Sequence, residues 1–149
     1  LALSRMIVQP GSFGKTMWRY TTRKPDSGWR DFDFDDAGWD EGAAPFGTQG
    51  TPNLAPRTRW FTPEIWLRKK FVIKKKPVRP ELVLYHDEDC EVYINGRQVA
   101  AREGFVTEYV HVPLDQEAAE LLKPGECVIA VHCRQSQGGQ GIDAGLKAE

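Results

Sequence analysis

Three short stretches gather side chains that could do chemistry. Residues 86–91 (HDEDCE) form the densest run of titratable groups. Two carboxylates a few ångström apart can act as acid and base in glycoside hydrolysis, but neighbours in a tight turn diverge, and no second acid can be assigned to a facing wall. The same run reads as a solvated hairpin turn at a sheet rim, with Asp87 and Asp89 free to meet a ligand. Residues 31–41 (DFDFDDAGWDE) hold six acids and no base. Their oxygens would suit calcium, a hard cation that takes six to eight of them, yet the spacing is not that of an EF-hand. Asp35 and Asp36 read rather as caps of a helical turn over residues 35–39, anchored by Phe32, Phe34 and Trp39. Residues 135–141 (QSQGGQG) lack the Lys and Ser/Thr of a phosphate-cradling loop. The amides of Gln135, Gln137 and Gln140 both donate and accept, which suits sugar hydroxyls.

Other groups carry weaker signals. Residues 68–79 contain seven Lys/Arg and no acid, which could track phosphates; the basic residues fall on the exposed parity of a strand, where Lys discourages edge-to-edge pairing. Nucleic acid is therefore not the expected partner. Cys90, Cys127 and Cys133 each lie in an apolar stretch, as buried reduced thiols do, and a bridge from Cys90 to either of the others stays open. No CxxC or HxxxH pairing supplies zinc ligands. The sequence offers no catalytic set and no metal site, and the one cofactor its residues would suit is a structural calcium ion.

The elements that must position these groups are strands. Ile65, Leu67, Phe71 and Ile73 share one parity and Arg68, Lys70, Lys74 and Lys76 the other, the period of a half-buried sheet. Residues 81–86 (ELVLYH) and 127–133 (CVIAVHC) are apolar on both parities and read as interior strands. Asn95-Gly96 predicts a type I′ turn, since both central positions need positive φ, with residues 97–101 returning against 91–95. Val106, Val110 and Val112 share a face of the next strand, and residues 142–146 form the last. Asp115 caps the one convincing helix, with Ala118, Leu121 and Leu122 on its apolar side and Pro124-Gly125 after it. The stretch from Pro10 to Pro63 reads as loop-rich, although it carries four of the five tryptophans.

At 149 residues, 40% hydrophobic and 28% charged, with 20 Lys+Arg against 21 Asp+Glu, the chain suits one domain that buries its own core. No apolar run approaches the roughly 20 residues of a membrane span. Many short strands and almost no helix predict an all-β, two-sheet antiparallel jelly-roll sandwich with one or two short helices, residues 1–149 forming a single module. The start at Leu1 and the strand-like end suggest a piece of a longer polypeptide.

The ordered segments Phe34-Asp35-Asp36-Ala37-Gly38-Trp39, Ala44-Pro45-Phe46-Gly47, Thr58-Arg59-Trp60 and Ile65-Trp66-Leu67-Arg68-Lys69-Lys70-Phe71 resemble the sugar-binding, galactose-binding-like jelly roll of glycoside hydrolase family 2. Asp89-Cys90-Glu91-Val92-Tyr93-Ile94-Asn95-Gly96 is similar to that family's hairpin. Residues 121–131 (LLKPGECVIAV) are similar to its following strand, with Cys127 where Asn is usual. Similar modules, with Gly138-Gly139-Gln140, Ile142-Asp143 and Gly145-Leu146, occur on bacterial β-galactosidase-like and glutaminase-like proteins. The resemblance covers roughly residues 18–146. It implies an accessory module of a secreted or periplasmic bacterial hydrolase whose acid and nucleophile lie in a separate barrel domain.

Two functions follow as expectations. One is weak carbohydrate binding, with an aromatic ring against a sugar's C–H face and polar groups around it; the candidates are Arg59, Trp60, Asp87, Asp89, Gln137 and Gln140. The other is a structural or docking domain that stabilises an adjacent catalytic domain and binds nothing small. Trp60 stands between the two, and the scarcity of other large residues at that end of the sandwich inclines it toward the core.

Overall fold

The computed structural model describes residues 5–149. These described residues form twelve strands and one short helix: β1 (Arg5–Val8), β2 (Thr16–Thr21), β3 (Asp40–Ala44), β4 (Phe46–Gly47), β5 (Thr58–Arg59), β6 (Glu64–Ile73), β7 (Glu81–Asp87), β8 (Asp89–Ile94), β9 (Arg97–Arg102), β10 (Val110–Pro113), α1 (Gln116–Ala119), β11 (Gly125–Arg134) and β12 (Gly141–Ala148). One sheet runs β10-β7-β12-β4-β5, with β1 also on β12; the other runs β3-β2-β6-β11-β8-β9. All pairings are antiparallel except β4 with β5. This is the all-β jelly-roll-like sandwich that the strand pattern predicts. Among the described residues no helix is long and apolar enough to cross a membrane.

The core lies between the sheets. Ile65, Leu67, Phe71 and Ile73 of β6 face Leu82 and Leu84 of β7 and Ile142, Ala144 and Leu146 of β12, with Cys90, Val92 and Ile94 of β8 and Cys127, Ile129, Val131 and Cys133 of β11 completing it. Alternation alone selects these residues, because successive side chains on a strand point to opposite faces. The β8–β9 turn has φ of 49° at Asn95 and 85° at Gly96, as a type I′ turn requires. Asn95 also fastens the turn: its Oδ1 accepts from the Val128 N–H at 2.9 Å, and its Nδ2 donates to the Leu121 carbonyl at 3.2 Å.

The structure departs from the sequence reading in five places. First, β2 and β3 pair within the stretch read as loop; residues 40–44 (DEGAA) are poor strand formers and are held in place by tertiary pairing. Second, Val106 precedes β10, which begins at Val110. Third, residues 35–39 make a turn closed by the Trp39 N–H on the Asp36 carbonyl at 2.9 Å, without a helix. α1 is the single helix among the described residues, and Asp115 does cap it, accepting from the Ala118 N–H at 2.8 Å. Fourth, residues 87–89 are not a hairpin turn, because β7 and β8 belong to different sheets and the chain crosses between them at Glu88.

The fifth departure concerns Arg68. β6 is an interior strand, bonded to β2 and β11, so its cations do not guard an edge. Lys70, Lys74, Lys75 and Lys76 are exposed, but Arg68 is only 1% exposed. Residues 29–39 fold over the outer face of this sheet, where Trp29, Trp66, Tyr93 and Ala130 form a second cluster flanked by Phe34 and Trp39. Arg68 clasps that loop. Its Nε donates to Asp36 Oδ2 at 3.0 Å, its Nη1 to the carbonyls of Trp29 and Asp31 at 2.9 Å each, and its Nη2 to that of Phe34 at 3.3 Å.

Candidate functional site

Four connections meet at one end of the sandwich: the β5–β6 loop, the β7–β8 crossover, the β9–β10 loop and the β11–β12 loop. Backbone bonds hold them together. The Glu88 N–H donates to the Arg134 carbonyl at 2.9 Å, the Gln135 N–H to that of Pro63 at 2.8 Å, and the Val106 N–H to that of His86 at 3.0 Å. Between them lies a pocket of about 440 Å³ lined by Pro63, Glu64, Glu88, Asp89, Arg134, Gln135 and Ser136, within the size range of small-ligand sites.

Each carboxylate at this rim has a partner. Asp89 Oδ1 accepts from the Gly104 N–H at 2.7 Å. Glu88 Oε1 accepts from the Ser136 hydroxyl at 2.5 Å and the Gln137 N–H at 3.4 Å. Glu64 Oε1 lies 2.8 Å from His132 Nε2, while His132 Nδ1 lies 3.1 Å from Glu91 Oε1 and the imidazole stacks on Trp66, centroids 4.7 Å apart. Arg134 donates to both oxygens of Glu91, and these contacts hold the Glu91 carboxyl below its ordinary range against the opposing effect of burial.

Two groups lie beneath the rim. His86 is fully buried; its Nδ1 is 2.8 Å from the Glu88 carbonyl and 2.9 Å from that of Gly104, and its Nε2 accepts from Arg102 Nε at 3.3 Å. That pattern fixes the neutral tautomer with the proton on Nδ1, in accord with a pKa lowered chiefly by burial. Asp87, 6% exposed, ends β7 under the glycine-rich loop, so close that a Cβ at Gly139 would come within 3.0 Å of its carboxylate. Burial, and then the adjacent Glu88 charge, raise its pKa to about 6.

The six residues singled out from sequence separate into two groups. Asp87, Asp89, Gln137 and Gln140 are all brought to this end. Asp89 lines the pocket and Gln137 is exposed beside it. Gln140 is buried, donating through Nε2 to the Thr62 carbonyl at 2.6 Å; its amide is engaged in holding two loops together. Arg59 is exposed and covers the ring of Phe61, its Cζ 4.5 Å from the centroid. Trp60 is 1% exposed and lies in the inter-sheet core, its Nε1 donating to Thr62 Oγ1 at 3.0 Å. It therefore presents no stacking face.

The exposed ring on this loop is Phe61, at 63%, and a second, Phe105 at 66%, follows Gly104. Sequence reasoning missed both, along with Glu64, Glu88, Arg134 and Ser136. A signal for Phe61 was present: in extended chain, the neighbour of an inward Trp60 points outward. Of the six acids in residues 31–41, Asp36 pairs with Arg68, Asp35 Oδ1 accepts from the Ala37 N–H at 3.0 Å, and Glu41 pairs with Arg19 at 3.3 Å. Among the described residues no group of three or more His, Cys, Asp or Glu is placed to hold a metal ion. A larger depression of about 730 Å³ lies at the opposite end, lined by Lys76, Asn95, Arg97, Glu117, Glu120, Leu121 and Lys123. None of the six candidate residues lines it, whereas Asp89 lines the rim pocket, so the rim pocket is the better candidate.

Comparison with protein-family models and with curated protein sequences finds no match. Solved structures do match. A glycosyl hydrolase family 2 member from Bacteroides cellulosilyticus is 19% identical with a TM-score of 0.66, the match covering 97% of this chain and 20% of that one. A Bacteroides uniformis β-glucuronidase is 17% identical with a TM-score of 0.69, covering 98% and 18%. A Ruminococcus gnavus β-glucuronidase is 12% identical with a TM-score of 0.66, covering 98% and 28%. At such identities the likeness is one of fold, and the fold this chain shares is that of a segment spanning 18–28% of glycoside hydrolase family 2 and β-glucuronidase chains.

Proposed function

We propose that this chain is an accessory β-sandwich of a glycoside hydrolase, without catalytic activity of its own, and that its loop rim holds carbohydrate weakly beside a separate catalytic domain of the same polypeptide. The observation that carries this reading is Phe61. Its ring is exposed, with Arg59 over it, on the loop that also carries Pro63 and Glu64 of the rim pocket, which supplies an aromatic surface and a guanidinium of the kinds that sugar recognition uses. Hydrolysis needs two carboxyl groups facing one another across the glycosidic bond, whereas Glu64, Glu88 and Asp89 are each tied to a neighbour.

The charge balance narrows the ligand. Three carboxylates line the pocket against one guanidinium, and Arg134 is already paired with Glu91. This excess of negative charge repels uronic acids and favours neutral hexosides. One ring and a few solvent-competed hydrogen bonds should give a Kd near millimolar, about −4 kcal/mol. Titration of the labelled chain by NMR with neutral and uronic oligosaccharides tests this. Neutral sugars should shift resonances around Phe61 and Asp89, and Phe61→Ala should abolish the shifts with the urea midpoint unchanged. No shift at sugar concentrations roughly tenfold above the expected Kd would refute carbohydrate binding.

A docking role is the second reading, and a specific observation favours it. Trp18, Trp29, Trp60 and Trp66 are all buried, while Phe61 and Phe105 stand exposed on the rim, as in a surface that meets another domain. On that reading Phe61→Ala and Phe105→Ala leave sugar titrations silent and weaken association with the catalytic domain instead.

A further inference from the structure

Cys90 on β8 and Cys133 on β11 stand directly opposite one another, both 0% exposed and both in the inter-sheet core. Opposed residues on antiparallel strands alternate between hydrogen-bonded pairs and closer, non-hydrogen-bonded pairs whose Cα atoms are about 4.5 Å apart. The far end of the ladder sets the phase. One step beyond the Ile94–Ile129 pair, the Asn95 N–H donates to the Val128 carbonyl at 2.9 Å, which makes that pair hydrogen-bonded. Counting back along an unbroken register, Cys90 and Cys133 fall on a non-hydrogen-bonded pair. A disulfide needs Cα atoms roughly 4.4–6.8 Å apart and Cβ atoms about 3.5–4.5 Å apart on converging vectors, and this is the position in a ladder that comes nearest to supplying them. Cys127 is six residues from Cys133 along the same strand, about 20 Å away, and is opposed to Phe71.

We propose that Cys90 and Cys133 form a disulfide that staples β8 to β11 beneath the loop rim when the chain folds in the presence of a small-molecule disulfide. One cysteine thiolate attacks a sulfur of the oxidant, giving a mixed disulfide and one released thiolate. The second cysteine thiolate then displaces the remaining half. Both protein S–H bonds are lost and one S–S bond forms, and the two electrons leave on the oxidant, which departs as two thiols. The exchange belongs to the folding chain. In the folded state both sulfurs are sealed from solvent, and burial pushes the Cys90 thiol up to about 12 and that of Cys133 well above its ordinary value, so the attacking thiolate is scarce.

The staple bears on the candidate site through its neighbours. Asp89 precedes Cys90 and Arg134 follows Cys133, and both line the rim pocket. The bond would fix the spacing of those two side chains and reduce opening of the crossover that carries Glu88.

Refolding the 149-residue chain from urea in a mixture of oxidised and reduced glutathione, followed by alkylation under denaturing conditions and peptide mapping, tests the proposal. The expected product is lighter by two hydrogens, with a single cross-link joining the Cys90 and Cys133 peptides and Cys127 alkylated. Its urea midpoint should lie above that of the same protein refolded in dithiothreitol. Cys127→Ala should retain both the cross-link and the shift, and Cys133→Ala should lose both. Three alkylated cysteines after oxidative refolding, or a cross-link that includes Cys127, would overturn it.

Discussion

Replacing Arg68 by Met removes a clasp while keeping most of the side chain's apolar stem. In the native protein the guanidinium is 1% exposed and makes four hydrogen bonds, one to the Asp36 carboxylate and three to backbone carbonyls of the covering loop. It also lies over the Phe34 ring, 5.3 Å from the centroid. Without it those three carbonyls lose a charged donor, and Asp36, whose side chain is 23% exposed, is left in a partly dry position. Hydrogen bonds to charged groups contribute about 1.5–3 kcal/mol each before relaxation, and breaking one side of a buried ion pair costs about 3–5 kcal/mol. These terms overlap, and water entering beneath a loosened loop recovers part of the loss, so the expected destabilisation is about 3–5 kcal/mol. Urea unfolding followed by tryptophan fluorescence measures it, and limited proteolysis within residues 29–39 should accelerate because the loop opens first. Arg68→Lys should recover only a fraction, since an ammonium cannot reproduce a planar fork. If Arg68 instead stood among exposed cations, Arg68→Met would change stability by less than about 0.5 kcal/mol. A shift of that size, with unchanged proteolysis, would refute the clasp.

Two further outcomes test the rim and its support. Trp60→Ala should destabilise the fold by about 3–5 kcal/mol through lost burial and a residual cavity, whereas Phe61→Ala, one residue on, should change the urea midpoint by less than about 0.5 kcal/mol; equal effects would mean that the inward and outward assignments are wrong. Asp87 titrates near 6 in the folded protein and near 3.9 unfolded, so the folded state binds its proton more tightly. Its contribution to stability is then fully present below about pH 4 and is lost as pH rises to about 6. Asp87→Asn should therefore be relatively more stable than the parent at neutral pH and should remove that part of the slope; parallel stability curves across this window would contradict a buried, proton-holding Asp87.

What could be read in the sequence divides along physical lines. Strands β6, β7, β8, β9, β11 and β12 were legible because alternation and the Asn95-Gly96 turn are local properties. Arg68 was misplaced because period 2 identifies two faces without saying which is wet. The outer face of β6 is dry only because residues 29–39, distant in sequence, lie across it. Strand β3 had no local signature, and its partner β2, rich in β-branched and aromatic residues, lost its meaning without it. The run at residues 86–91 was recognised as a rim feature but not as a crossover, since nothing local specifies which sheet the next strand joins. Among the candidate site residues, Asp89 and Gln137 reached the rim pocket or the exposed surface beside it. Gln140 did not, because an amide that can pair with a sugar can equally pair with the Thr62 carbonyl, and only the fold decides which.

The covered faces explain why contact should concentrate at the rim. The outer face of the β6–β11 sheet is sealed by Trp29, Phe34 and Trp39 under the Arg68 clasp. The outer face of the other sheet is closed too. The Tyr85 hydroxyl donates to the Pro52 carbonyl, and Asp143, 1% exposed, accepts from the N–H groups of Gly11 at 2.9 Å and Ser12 at 3.2 Å and from the Tyr109 hydroxyl at 2.5 Å. These polar groups are satisfied within the chain, so they hold loops in place and are not free to recognise a partner. The rim differs in kind. Its backbone bonds fix the crossover and loops, but Phe61, Phe105, Ser136 and Gln137 project from that frame into solvent. A rigid scaffold that presents exposed aromatic and polar side chains at one end is the arrangement by which loops acquire binding function, and it is what either proposed role, carbohydrate binding or docking, would draw on.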